Sequence, residues 1–309
     1  MWNFIKNILF SKSQNIWLKR ILVILAIILI VLVLWRKYGK PENVDGFTQS
    51  QPFVLKTDAD VYDSFYTEIY DDLFKTEERA EKEVNEIVRM TQPSKTKNTV
   101  ILDIGSGTGQ IVHILNHQGY IAYGIEKSDA MIEYSTSKFP EISVKKGCVL
   151  DPLGFEPATF SHILCTHFTI YQITDYATFF SNCYTWLKSN GYLVLHLVDP
   201  KHFDTIVPAG KPGIIENPQS YANKRITNTV VEYDDFEYKS EYTFNYPTVR
   251  FTETFKDRNS GNVRQNEQLM TMKEIDELLK EARTYGFIAH GFAKLDDPHQ
   301  YIYVLEKIM

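Results

Sequence analysis

Val100-Ile101-Leu102-Asp103-Ile104-Gly105-Ser106-Gly107-Thr108-Gly109 decides the fold. Thr99 to Leu102 is a short run rich in β-branched side chains. Glycines then recur at every second position, and Gln110-Ile111-Val112-His113-Ile114-Leu115 resumes at helical spacing, so the stretch reads as strand, tight turn and helix. Glycine removes the Cβ where the chain must turn sharply and where a ligand must approach the backbone, and the new helix offers unpaired N–H groups. Such a loop is built to hold a nucleotide-like ligand. A dinucleotide-binding turn carries its glycines as G-x-G-x-x-G; here they stand as G-x-G-x-G behind an acid, Asp103. A second strand, Tyr120 to Ile125, ends in Glu126, where doubly wound folds hold a ribose through its hydroxyls.

Together, Asp103, the three glycines and Glu126 resemble the cofactor site of class I S-adenosylmethionine-dependent methyltransferases of the small-molecule type. The resemblance runs from about residue 54 to the C-terminus and is most specific over 99–200. It implies an α/β fold: a Rossmann-like, seven-stranded, mostly parallel sheet closed by an antiparallel hairpin. It also implies methyltransferase activity with S-adenosylmethionine as cofactor. Carried over, the methionyl end falls on Asp103, Gly105, Ser106, Gly107 and Gly109, and the ribose on Glu126, with Lys127 beside it. Met131 follows on the next helix as an apolar wall for the base, although a core methionine is the commoner reading of such a residue. Thr166, at the exit of the fourth strand, completes the set. In the family an acid that accepts the adenine amino group usually stands where Cys148 does. A thiol does so only weakly, which leaves the base to the backbone of Val149 or to Asp151.

Ahead of the first strand, Tyr62, Tyr66 and Tyr70 recur at i, i+4 and i+8 and share one helical face. An aromatic packing stripe is one reading. The resemblance implies another, in which Tyr66 and Tyr70 fold over the methionyl group. A charged helix over Glu77–Met90 ends before Pro93, as a proline enforces.

Phe160 to Cys165 reads as the fourth strand, so His167 and Tyr171 leave its carboxyl end, where open α/β sheets hold ligands. Methyl transfer needs an acceptor lone pair in line with the methyl group, and a base only where the acceptor arrives protonated. His167 is then the first candidate base, with Tyr171, Asp199 and His202 behind it. Helix 175–188, stopped by Asn190-Gly191, leads to a fifth strand over Tyr192–Val198. Beyond it, residues 201–270 read as an insertion: a Pro- and Gly-rich lid loop over 207–220, then an antiparallel β flap broken by a hairpin at 257–262. Glu232, Asp234, Asp235, Glu237 and Glu241 face Lys239 alone on that flap. They fit a cationic acceptor or, more simply, a sheet edge blunted by charge. Helix 272–285 and strands 287–293 and 300–306 close the chain.

Ile21 to Trp35 is fifteen uninterrupted apolar residues, and Ile16 to Arg20 extends it to the roughly 20 residues a bilayer core requires. The expectation is a single-pass membrane anchor within 1–40, a polar linker over 41–52 and a methyltransferase domain over 53–309. Lys6, Lys12, Lys19 and Arg20 precede the span and Arg36, Lys37 and Lys40 follow it, a balance that does not orient it. Three scattered cysteines, Cys148, Cys165 and Cys183, and the cytosolic supply of the implied cofactor favour a cytoplasm-facing catalytic domain.

The net charge of −6 over 309 residues argues against a nucleic-acid partner. No metal is expected: His113 and His117 stand at i, i+4 but lack the glutamate and third ligand of a zinc helix. The acceptor is expected to be a small molecule, with a lipid or a protein side chain as alternatives. A tethered module that binds the cofactor without turnover is the competing reading.

Overall fold

The computed structural model describes residues 16–38, 51–211 and 217–308, and in the first of these the side chains of 17 and 20–31. The chain divides into two compact units, Met1–Gly46 and Phe47–Met309. In the first, α1 (Ile16–Tyr38) is a helix of 23 residues, and Ile21, Leu22, Ile24, Leu25 and Ile27 through Val31 stand exposed on it. Among the described residues no helix is long and apolar enough to cross a membrane. The side chains of 32–35, which end the apolar run, lie outside the described residues, as do 41–50 of the expected linker and 212–216 of the expected lid.

The second unit begins with β1 (Phe53–Thr57), α2 (Ser64–Phe74) and α3 (Thr76–Thr91). An alternating series follows: β2 (Val100–Ile104), α4 (Gln110–His117), β3 (Ile121–Glu126), α5 (Asp129–Lys138), β4 (Val144–Lys146), β5 (Phe160–Cys165), α6 (Tyr176–Trp186) and β6 (Leu187–Val198). After a short helix, α7 (Pro218–Tyr221), come β7 (Asn228–Glu232), β8 (Phe236–Asn245), β9 (Thr248–Asp257) and β10 (Val263–Thr271). The last elements are α8 (Ile275–Thr284), β11 (Phe287–Lys294) and β12 (Gln300–Lys307).

Seven strands form one sheet in the order β4-β3-β2-β5-β6-β12-β11. The first five are parallel, and β12 pairs antiparallel with both β6 and β11. Parallel strands covered on both faces must be apolar throughout. Leu102, Ile163, Leu164, Val194 and Leu195 are accordingly fully buried. On one face Ile101, Leu164 and Val194 pack in one core with Ala80, Val84 and Ile87 of α3 and Ile111, Val112 and Leu115 of α4. On the other face, Leu102, Ile163 and Leu195 pack with Phe179, Phe180, Cys183 and Trp186 of α6, Leu278 of α8, and flap residues including Tyr238 and Phe255. Strand order reverses beside β2, and ligands in open α/β sheets bind outside the strand ends at that switch.

Two departures from the sequence reading stand out, and the flap acids fall where that reading put them. The flap is a five-stranded sheet in the order β1-β10-β9-β8-β7, so it is not wholly an insertion after the fifth strand: Phe53–Thr57, from the start of the domain, pairs parallel with Val263–Glu267. Asn190-Gly191 does not stop α6. That helix ends at Trp186, and Leu187 is already extended; the pair, with Asn190 at φ +58°, sits inside β6 where its pairing with β5 shifts register. The acidic residues of the flap lie along β7, β8 and the turn joining them: Arg258 reaches Glu232 at 3.0 Å and Lys239 reaches Glu241 at 3.4 Å, all on exposed side chains. Of these two strands only β7 is an edge of the sheet, so a charged edge that discourages strand pairing accounts for Glu232, while Glu237 and Glu241 lie on β8, which is paired on both sides.

Candidate active site

The glycine loop leaves β2 and uses its own N–H groups inside the protein. Gly105 and Ser106 N–H both donate to Ile125 O, at 2.9 and 3.2 Å, and Gly109 N–H donates to Ser106 O at 2.9 Å. Gly107 N–H donates to Glu126 Oε2 at 3.0 Å. Glu126 Oε1 accepts from the N–H groups of Lys127 and Ser128, at 2.7 and 2.9 Å, which fixes the carboxylate at the end of β3. A pyrophosphate would need free donors in such a turn. What the loop presents instead are acceptors. Asp103 is 2% exposed and its Oδ1 has no hydrogen-bond partner among the described residues. Burial, reinforced by Glu83 and Glu126, pushes its pKa well above the usual carboxylate range against the opposing pull of Arg79. A ligand that brings hydroxyl donors and a positive charge suits this loop.

These groups open onto a cavity of about 340 Å³ lined by Tyr70, Asp103, Gly105, Ser106, Gly107, Glu126, Lys127, Met131, Val149, Thr166 and His167 from the sequence-derived set. Four members of that set lie elsewhere. Gly109, at φ +79°, turns the chain against α5: a Cβ there would stand 2.6 Å from Ile142 Cδ1, so its glycine is required by packing. Cys148 is half-buried outside the cavity, its sulfur accepting from Leu150 N–H, and Asp151 is turned to Leu153 N–H; from that loop the cavity receives Gly147 and Val149. Tyr66 lines a neighbouring cavity, edge-on to Tyr62 and Tyr70. Tyr171 is buried in the core, where its hydroxyl donates to Val198 O at 3.1 Å and accepts from Val198 N–H at 2.9 Å; it braces β6 and is no base.

Two contacts that the sequence did not reveal hold α2 over the loop. Asp71 accepts from Thr108 at 2.6 Å, Gln110 at 3.2 Å and Lys138 at 2.6 Å. Burial pushes its carboxyl up, but the bonds from Lys138, Thr108 and Thr76 win and hold its pKa below the usual value. Ser128 caps α5, accepting from Met131 N–H at 3.1 Å, and donates to Tyr62 O at 2.6 Å. Ser128→Ala removes both bonds. It is expected to lower stability by about 1 kcal/mol, the usual worth of such a cap, read as a shift in the urea midpoint without a change in slope.

The neighbouring cavity, of about 480 Å³, shares Tyr62, Tyr70, Arg79, His167, Gln172 and Gln268 with the first. A ligand in one therefore abuts a ligand in the other. Its remaining wall combines aromatic rings, with Phe74, Phe168, Phe203, Tyr242 and Phe251, and charged residues of both signs, with Lys75, Lys82 and Lys211 against Glu78, Glu83, Asp204, Asp296 and Asp297. His167 sits on the partition in left-handed backbone, at φ +45° with Phe168 at +62°, a strained conformation of a kind that clusters at functional sites. Arg79 Nη1 donates to His167 Nε2 at 2.8 Å. Burial first, then Arg79 and His196, hold the imidazole pKa well below its ordinary value. With its Nε2 lone pair already engaged and its charged form disfavoured, His167 is a neutral donor through Nδ1. That corrects the general-base role expected from sequence.

Asp199 and His202, the other bases considered, pair with each other at 2.7 Å and line neither cavity. With His299 they are the one group among the described residues whose ligand atoms stand close enough to hold a metal ion, and Asp199 and His299 are only partly buried there while His202 is exposed.

The residues fit S-adenosylmethionine. When bound, it supplies a methyl group on a sulfonium. Asp103 offers an unpartnered buried carboxylate oxygen to a cationic group, Glu126 offers acceptors at the strand end for hydroxyls, and Met131 and Val149 supply apolar wall. At Gly107 a Cβ would meet no protein atom beyond its chain neighbours nearer than 3.9 Å, which leaves the backbone open to a ligand.

Comparison with known proteins agrees. Residues 102–195 match the family model described as "Methyltransferase domain". No curated protein matches the chain by sequence. Among solved structures, an S-adenosylmethionine-dependent methyltransferase from Clostridium acetobutylicum superposes with a TM-score of 0.61 at 14% identity, covering 79% of this chain and 98% of that one. CalS10, an amino pentose methyltransferase from Micromonospora echinaspora solved with S-adenosylmethionine bound, gives 0.55 at 17% identity, with 78% and 96% covered. The sugar N-methyltransferase KedS8 from Streptoalloteichus gives 0.56 at 19%, with 78% and 93% covered. At these identities the structures establish the fold, and the family match lies on the strands and glycine loop that carry the site. The chain therefore carries an S-adenosylmethionine-dependent methyltransferase domain.

Proposed function

We propose that this protein methylates a nitrogen or oxygen atom of a small-molecule acceptor held in the aromatic cavity, with the cofactor in the cavity beside it. The observation that carries the reading is the shared partition: Tyr62, Tyr70, Arg79, His167, Gln172 and Gln268 face both spaces, so a methyl group has a short path between two separately lined sites. In-line transfer depends chiefly on positioning in a site with little water, which two abutting cavities supply. Two of the structural relatives are named as sugar or amino pentose methyltransferases, which supports a small polar acceptor here.

The second part of the proposal is a membrane tether. Its support is in the sequence, where fifteen apolar residues run from Ile21 to Trp35; the scattered cysteines and the cytosolic supply of the cofactor, and not the evenly balanced flanking charge, favour a catalytic unit facing the cytoplasm. A tether keeps a lipid-soluble acceptor among the candidates.

Thermal denaturation with cofactor products tests the first part. S-adenosylhomocysteine at a hundred times its dissociation constant is expected to stabilise the protein by about 2.7 kcal/mol, and NADH by nothing measurable. Stabilisation by NADH alone would overturn the reading. Stabilisation by S-adenosylhomocysteine without methyl transfer to any pool of amines, alcohols or lipids would point to a binding module.

A further inference from the structure

Three buried polar side-chain atoms, on residues that line the acceptor cavity, have no hydrogen-bond partner among the described residues: Arg79 Nε, Glu83 Oε2 and His167 Nδ1. They belong to one cluster. Arg79 Nη1 donates to His167 Nε2 at 2.8 Å, and Arg79 Nε lies 3.9 Å from Glu83 Oε1. That same Glu83 oxygen accepts from His196 Nδ1 at 2.7 Å, both side chains being almost wholly buried, and His196 Nε2 meets Gln300 Oε1 at 3.2 Å. A guanidinium keeps its protons, so its bond makes His167 Nε2 the acceptor and leaves the imidazole proton on Nδ1. The unmet set is therefore two donors, Arg79 Nε and His167 Nδ1, and one acceptor, Glu83 Oε2.

Buried polar groups are almost always satisfied, and exceptions mark places where a partner is supplied from outside the fold. Three exceptions in one connected cluster, all on residues that line one cavity, define the chemistry of that partner. A carboxylate has no proton for Glu83, and a carboxylate or a phosphate alike sets its negative charge against that of Glu83. An ammonium has no lone pair for Arg79 or His167 and faces the guanidinium. A neutral hydroxyl, with one proton to donate and two lone pairs to accept, matches all three atoms. The surrounding rings add the shape of what carries it. Phe74 lies 5.7 Å and Tyr70 6.5 Å from His167 between ring centroids, and Phe168 lies 4.4 Å from His196.

We propose that Arg79, Glu83 and His167 form the polar subsite for the methyl acceptor, and that it selects an alcohol carried on a flat apolar frame. The proposal rests on the methyltransferase reading and narrows its acceptor class.

Benzyl alcohol, benzylammonium and benzoate, titrated at pH 7 into the full-length chain and followed by ligand-observed NMR, form a matched set. Benzyl alcohol is expected to bind at least tenfold more tightly than either ion. In Arg79→Met, which removes the cation and keeps Glu83, benzylammonium is expected to overtake the alcohol, an inversion that a purely structural arginine would not produce. Should that variant fail to fold by circular dichroism, Glu83→Gln decides instead, with benzoate expected to gain at least tenfold. Equal binding of the three probes, a preference for either ion in the wild type, or an order unchanged in the folded variant would overturn the subsite, and the orphaned atoms would then be met by water only. S-adenosylhomocysteine is titrated into the same samples. Its binding without an alcohol preference defeats the subsite alone, whereas its failure to bind defeats the methyltransferase reading and leaves the probe order to judge the subsite.

Discussion

Asp103→Asn is expected to stabilise the cofactor-free protein while removing most of its hold on S-adenosylhomocysteine. The carboxyl is buried, its Oδ1 has no partner among the described residues, and Glu83 and Glu126 add negative charge nearby. Its folded-state pKa therefore lies well above the unfolded value of about 3.9. The sign follows from proton linkage. Above the unfolded pKa the native state binds the proton more tightly than the unfolded chain does, so the wild type loses stability as pH rises toward the folded pKa. Asparagine does not titrate there. The variant's advantage should thus grow between about pH 4 and the folded pKa, reaching on the order of 1 kcal/mol or more at pH 8, since an uncompensated buried charge is costly. Denaturant titrations at pH 5 and pH 8 measure it. The same change removes the negative charge that would meet the cofactor's cationic end, and affinity should fall by roughly tenfold to a hundredfold, the worth of one charge-assisted hydrogen bond. A variant less stable at pH 8 than at pH 5, relative to wild type, would show that Asp103 is a structural carboxylate.

Glu126→Ala should act in the opposite sense on stability and even more strongly on binding. Its two oxygens accept the N–H groups of Gly107, Lys127 and Ser128, so the carboxylate holds the loop in shape, and in the proposed cofactor site it would also accept from the ribose hydroxyls. Removing it leaves three backbone donors without their acceptor, and a loss of about 1–3 kcal/mol in stability is expected. Affinity for S-adenosylhomocysteine should fall by about 3 kcal/mol, more than a hundredfold, because two charge-assisted bonds to hydroxyls vanish together. Glu126→Gln separates the roles: the amide oxygen can still accept from Lys127 and Ser128 N–H while its NH2 cannot accept from Gly107, so part of the stability but little of the affinity should return. Calorimetric titration of both variants, beside their urea midpoints, gives the comparison.

The cofactor end of the molecule was legible because its signals are local. Asp103, Gly105 and Gly107 fall within five residues, and Glu126 follows at the tip of the adjacent strand, so spacing alone brings them to one switch point. The acceptor end was not legible. Glu83 lies on a helix whose sequence reads as charged surface, and its partner His196 lies 113 positions away inside an apolar strand. Arg79 reaches His167 across 88 positions, and that one bond turns an apparent base into a donor. Long-range pairing also hid β1, since five residues near the start of the domain carry no sign that they join a strand beginning at Val263. Asn190-Gly191 misled for a different reason: a residue in left-handed conformation serves a helix end and a strand irregularity equally well.

The central claim is that two acids on adjacent strands, joined by a glycine bend whose own N–H groups are already engaged, hold a methionine-linked adenosine. A crystal structure with S-adenosylhomocysteine bound tests it most directly. The account predicts the ribose hydroxyls on the Glu126 carboxylate and the cationic end of the ligand beside Asp103. Electron density for the ligand in any other part of the molecule, with Asp103 and Glu126 untouched, would contradict it.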